Sequence, residues 1–202
     1  MPMFPLGTVL FPSAVLPLHV FEPRYRQLVH DCLEGDPEFG VVLIERGSEV
    51  GGFDLRSMAG TVARIVEAVE LDDGRWALGT VGTRRIRVEQ WLADDPYPRA
   101  EIDDWLDPAP SSGYEGRLRE VVTLLRRSLA LKAELGEPAV PATIELSDDP
   151  VLAGYQAAAV SPVGPLDGQR LLSANTPDAR VEMLAELLSD EVDVLGQRLA
   201  GG

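Results

Sequence analysis

The side chains suited to nucleophilic or general-base chemistry near neutral pH are few in this 202-residue chain: His19, His30, the single cysteine Cys32 and the single lysine Lys132. His19 sits in an apolar run of strand character with no flanking motif, so it reads as a satisfied or half-buried residue rather than a catalytic base. His30 falls on the polar side of a helical pattern near its C-terminal end, where a protonated imidazole would interact well with the helix dipole. Cys32 shares the apolar stripe of that helix, and nothing nearby in sequence would depress its pKa, so an inert buried thiol is expected. Lys132, in SLALKAELG, reads as an exposed helix position with no glycine loop before it. No G-x-x-x-x-G-K-[ST] motif is present, so no phosphate cradle, and hence no ATP-driven step, is expected of this chain. We expect no catalytic residues, no metal ligands and no cofactor.

The remaining charged clusters point to structure. Asp72-Asp73, Asp94-Asp95, Asp103-Asp104 and Asp148-Asp149 each fall at a turn or helix start, where aspartate bonds local backbone N–H groups. None has the histidine neighbours or the spacing of a cation loop. Arg84, Arg85 and Arg87 form the one dense basic cluster, with Arg85 and Arg87 on one face of a strand; a solvated face is the first reading, and an anchor for an anionic partner such as RNA the second. The net charge of −15, from 18 basic and 33 acidic residues, weighs against nucleic acid. A polypeptide-binding surface would instead need exposed apolar side chains and unpaired backbone. The candidates are Leu10 and Phe11, beside Pro12, and Phe53 and Leu55 in a glycine-rich stretch.

These residues are held by a β-rich first half and a helical second half. Near the N-terminus short apolar runs (residues 3–6, 9–11 and 14–18) are broken by Pro5, Pro12 and Pro17, which lack the N–H of a central ladder position, so bulged or edge strands are expected. Glu22-Pro23 opens a helix whose apolar positions Tyr25, Leu28, Val29, Cys32 and Leu33 make one stripe. A buried strand over 39–44, a long loop over 45–57, and a hairpin of 58–71 with 75–91 around Asp72-Asp73-Gly74 follow. Gly79 and Gly82 mark bulges, and a last strand lies near 99–102. The stretch DPAPSSG, residues 107–113, separates this unit from helices that begin before Leu118, at Asp149-Pro150, at Pro165 and at Thr176-Pro177. The helix through Leu118, Val122, Leu125 and Leu129 and the long seam from Val181 to Leu199 supply the apolar faces. A signal peptide is not expected, because no basic n-region precedes the proline-broken N-terminus, and no window is apolar enough to span a membrane. A cytoplasmic protein is the expectation.

Three stretches carry a family resemblance. FPLGTVLFPSAVLPLHVFEPRYRQLVHDCLEGD resembles the opening of the Lon N-terminal, substrate-binding domain; GTVARIVEAVELDDGRWALGTVGTRRIRV resembles its central hairpin; and SPVGPLDGQRLLSANTPDARVEMLAELL its C-terminal helices. The resemblance implies an α+β fold: a PUA-like small β barrel with one inserted helix over residues 1–106, then a C-terminal helical bundle over 107–202. It implies a stand-alone, non-catalytic recognition module without the ATPase and peptidase parts, since Lys132 is the only lysine that could activate a serine. The partners implied are unfolded or client polypeptides, with a protease acting in trans as a further partner. RNA binding through the strand of Arg84, Arg85 and Arg87 is the alternative, because the Lon barrel is similar to RNA-binding PUA-type barrels. Oligomeric state stays open.

Overall fold

The structure is a computed structural model, and the residues it describes are 1–46 and 55–201. The chain divides into two compact units, Met1–Leu106 and Asp107–Gly202.

The first unit is a curled, mixed six-stranded sheet, a half-barrel, with one helix inserted. Its strands are β1 (Met3–Leu6), β2 (Val15–Val20), β3 (Glu38–Arg46), β4 (Leu55–Glu70), β5 (Trp76–Trp91) and β6 (Ala100–Asp104), and α1 (Pro23–Glu34) lies between β2 and β3. The strand path is β1-β3-β4-β5-β2, with β6 pairing the second half of β5. Only β1 with β3 is parallel, a pairing that requires the crossover through β2 and α1. The apolar run at residues 9–11 is not a strand: it belongs to the turn that carries the chain from β1 to β2. Conversely, β4 begins at Leu55, inside the stretch expected to be loop, because Arg46 and Ile44 continue pairing with Leu55 and Arg56 through a register shift.

α1 forms as its stripe requires. Pro23 occupies the first turn, Gly35 ends the helix, and Tyr25, Leu28, Val29 and Cys32 are buried. They pack with Phe4, Phe39, Val41, Ile65 and Leu78 in the main core of the unit. The Phe4 and Tyr25 rings stack at 4.1 Å, and Phe39 lies 5.8 Å from Phe4. Gly82 has a steric reason to be glycine: a Cβ there would meet Phe11 O at 2.3 Å. The close approach lets Ser13 N–H bond to Gly82 O at 2.7 Å and Gly82 N–H to Ala14 O at 2.9 Å, fastening the turn over β5. Both Gly79 and Gly82 flank shifts in the β4/β5 register, the bulges expected of them.

The second unit holds α2 (Tyr114–Glu134), α3 (Pro150–Val160), α4 (Pro165–Leu172) and α5 (Pro177–Gly201). α2 packs mainly on α5, whose seam of Val181, Leu184, Leu188, Val192 and Leu195 is buried, while Leu199 is exposed. In α2 the buried stripe is Tyr114, Val121, Leu125, Ser128 and Leu129. Leu118 and Val122 are only half-buried, so the stripe is rotated from the one the leucines alone define. Asp149 caps α3 by accepting from Leu152 N–H at 2.9 Å, and Thr176 Oγ1 accepts from Ala179 N–H at 3.1 Å ahead of α5. No helix among the described residues is long and apolar enough to cross a membrane.

Candidate functional site

The site is built where β1 and β2, at opposite ends of the strand path, line one cavity. β1 pairs with β3 on one side, and at its start Met3 N–H turns the other way and bonds Pro98 O at 2.8 Å, where Pro2 bridges to Arg99. Beyond that bridge the outer edge of β1 has no ladder partner among the described residues. Among the described residues β2 pairs with β5 alone. Between these two edges and the start of α1 lies a cavity of about 230 Å³, floored by Phe4, Leu6, Leu18, Val20 and Tyr25, with Phe21 among its lining residues. Phe21 is 57% exposed and supplies an accessible aromatic face at the cavity.

Backbone polarity follows from the register. Gly82 N–H donates to Ala14 O, and Thr80 Oγ1 donates to Leu16 O at 2.7 Å, so the even-numbered residues of this stretch face β5. Strand alternation then points the backbone groups of Val15, Pro17 and His19 away from β5. By the same parity Pro5 on β1 faces outward with Met3. Each edge therefore presents a proline where a donor would stand, which blunts it against indiscriminate pairing. The acidic side chain at the site, Glu22, accepts from Arg24 Nε at 3.1 Å, and the Arg24 guanidinium lies 4.5 Å from the centre of the Tyr25 ring.

The apolar residues singled out in sequence are distributed differently. Leu10 and Phe11 are 3% and 4% exposed; Leu10 belongs to the main core, and its carbonyl accepts from Thr61 Oγ1 at 2.6 Å. They do not form an accessible surface, because the turn that carries them is fastened down over Gly82. Phe53 lies outside the described residues. Leu55 is 55% exposed, at the first position of β4. The exposed residue that sequence reasoning passed over is Phe21, which follows an apolar strand and precedes Glu22-Pro23. A lone large apolar side chain directly before a helix start is the signal that could have marked it.

A larger, shallower groove of about 620 Å³ in the helical unit is lined by Leu129, Lys132, Val140 and Val160 among others. It is lined by α2, the end of α3 and the loop residues Pro138, Ala139, Val140 and Pro162, and no strand edge among the described residues borders it.

Comparison with known proteins decides the family. The model of the ATP-dependent protease La (LON) substrate-binding domain matches residues 1–190. The chain belongs to this family. Lon protease 2 of Myxococcus xanthus is 31% identical over 200 residues, and Lon protease 2 of Herpetosiphon aurantiacus is 28% identical over the same length. Each alignment covers 96% of this chain and 24% of the relative, so the chain spans about a quarter of the length of these proteases. Among solved structures, the Lon N-terminal domain protein from Xanthomonas campestris superposes with a TM-score of 0.63 at 29% identity, covering 91% of this chain and 95% of that one. The N-terminal domain of the Mycobacterium avium complex Lon protease reaches a TM-score of 0.70 at 17% identity, covering 94% and 97%, a likeness of fold.

Within this Lon substrate-binding domain the candidate catalytic groups are scattered. His19 is exposed on β2 rather than half-buried, because its parity points it outward. His30 does not cap α1; it is exposed and meets the Trp76 ring edge-on at 5.4 Å. Cys32 is buried, its Sγ donates to Glu38 O at 3.4 Å, and burial pushes the thiol up to about 12. Lys132 is not a free exposed amine: it is largely covered and bonds Glu137 at 2.7 Å. No group of side chains suited to a metal ion occurs among the described residues.

The basic cluster is likewise consumed by its neighbours. Arg84 donates to the buried carboxylate of Glu38 at 2.7 Å and to Asp104 at 2.9 Å. Arg85 is 3% exposed, not solvated, with its guanidinium 4.1 Å from the Trp105 ring centre and Nε donating to Trp105 O at 3.3 Å. Arg87 lies over the same ring at 4.1 Å. Arg84 is thus charge-paired and Arg85 buried, which leaves Arg87 as the exposed cation of the cluster, and nothing in this arrangement supports the RNA alternative.

Proposed function

We propose that this chain is a non-catalytic polypeptide-recognition module, acting as an ATP-independent holdase or adaptor for unfolded proteins and handing clients to a protease supplied in trans. The observation that carries this reading is the cavity floored by apolar side chains beside the outer edge of β2, which has no ladder partner among the described residues, in a chain of the Lon substrate-binding family. Unfolded polypeptides display the two features such a place complements, apolar side chains and unbonded backbone. In this reading the strand-rich unit is a PUA-like barrel that carries the recognition edge, the helical unit is a bundle, and the protein works in the cytoplasm.

The test is a titration of chemically denatured and native forms of one labelled protein with the purified chain, together with light scattering of the denatured form as it aggregates without nucleotide. The denatured form binds and its aggregation slows in proportion to added chain. Equal, absent binding of both forms at high micromolar concentration overturns the reading.

A further inference from the structure

We propose that the client segment binds as an added β-strand along the outer edge of β2, seating an apolar side chain in the cavity beside Phe21; the inference rests on the polypeptide-recognition reading. Val15 and His19 offer two N–H donors on that edge, and Val15, Pro17 and His19 offer three carbonyl acceptors. Side chains of a strand laid there alternate between the two faces of the sheet. Those on the inner face continue the row of Leu16, Leu18 and Val20 and enter the cavity floored by Phe4 and Tyr25. Pro5 on β1 has no N–H to donate, so the ladder of the incoming strand forms with β2.

The chemistry of the occupant follows from the two faces. On the inner face the cavity takes leucine, phenylalanine or a similar apolar side chain. On the outer face Val15 is 71% exposed and lies on the same face as Pro17 and His19, and across β5 the exposed Glu67 of β4, opposite Gly79, stands in the row of Pro17 on that face. With a net charge of −15 behind them, these positions favour lysine or arginine on the outward-facing residues of the segment. The selected segment is thus extended, alternating apolar with basic or neutral residues, and free of acidic ones.

The experiment uses a short synthetic peptide alternating leucine with lysine and threonine, titrated against the full chain. Two further peptides carry backbone N-methyl groups, one on each alternate set of residues, and a fourth has glutamate in place of lysine. One N-methylated set loses affinity by about tenfold or more, because its N–H groups face β2, while the other binds like the parent. The glutamate peptide binds at least about threefold more weakly at low salt. Hydrogen exchange of the Val15 and His19 amides slows on binding, whereas Leu16 and Leu18, already bonded to β5, change little. If the parent peptide binds but both methylated sets bind alike and Val15 and His19 are unprotected, strand addition is overturned while polypeptide recognition stands. If neither the peptide nor a denatured protein binds, both fall together.

Discussion

Arg180, fully buried in α5, donates through Nη2 to Asp107 Oδ1 at 2.9 Å. The guanidinium also lies 3.9 Å from the Tyr155 ring centre, its Nε donates to Leu171 O at 3.2 Å, and Tyr155 Oη donates to Asp107 Oδ2 at 2.6 Å. One charged pair thus ties the first residue of the helical unit to three of its helices. Removing either partner deprives a largely buried charge of its counter-charge, so Arg180→Ala and Asp107→Ala each destabilise by about 3–5 kcal/mol, read from chemical denaturation. Arg180→Lys recovers only part of this, because an ammonium cannot bond the carboxylate and stack on Tyr155 at once.

Gly82→Ala tests how the β1–β2 turn is held. The new methyl group would sit 2.3 Å from Phe11 O, so the turn has to lift. Overpacking of this kind costs about 1–3 kcal/mol. Thermal unfolding should record the loss, and the amide of Ser13, bonded to Gly82 O, should exchange faster in the folded variant.

Glu38 sets an acid limit on the β unit. Burial pushes its carboxyl up, but bonds from Arg84 and Arg64 outweigh burial and hold the pKa below its ordinary value of 4.5. A carboxylate whose pKa is depressed by folding contributes stability that is complete above the unfolded value and is lost as pH falls through the folded one. Wild-type stability should therefore decline below about pH 4.5, and Glu38→Gln should be less stable at pH 7 with a shallower acid decline. A denaturation series against pH checks the slope.

Cys32 reports opening of α1. With its thiol pushed up to about 12 by burial, the native protein should react with an aromatic disulfide reagent at pH 8 far more slowly than the denatured chain. Native reactivity equal to that of the unfolded protein would show that the helix does not cover the thiol.

Phe21 and Leu55 separate the cavity from other exposed apolar surface. They are 57% and 55% exposed, but Phe21 lines the cavity and Leu55 starts β4. Phe21→Ser should weaken denatured-client binding by about tenfold, in keeping with loss of one buried aromatic anchor, and Leu55→Ser should leave it within about twofold. Both variants should keep their unfolding temperature, since neither side chain is in the core.

Much of the fold was legible in residue order because local signals agreed with the tertiary outcome. Pro23 and Gly35 bound α1, Asp72-Asp73-Gly74 makes the turn between β4 and β5, and Thr176-Pro177 starts α5. Where the signal was composition alone, it misled. Leu10 and Phe11 beside Pro12 read as a strand end with apolar surface, yet the turn is buried by contacts to Thr61 and Gly82, more than fifty residues away. The α2 stripe drawn through Leu118 and Val122 missed Val121, because which face is buried depends on where α5 lies.

By itself the sequence determined the element types, the scarcity of catalytic groups and the edge character of β1 and β2, since these follow from proline's missing N–H, residue spacing and side-chain chemistry. Tertiary structure alone decided that Arg84 pairs with Glu38 and Asp104 while Arg85 and Arg87 stack on Trp105. It also decided that Phe4 and Leu6 of β1 and Pro17 of β2 line one cavity together with Phe21. Both outcomes depend on which distant strands become neighbours, and pairing of strands remote in sequence is settled by the packing of the whole sheet rather than by any local run of residues.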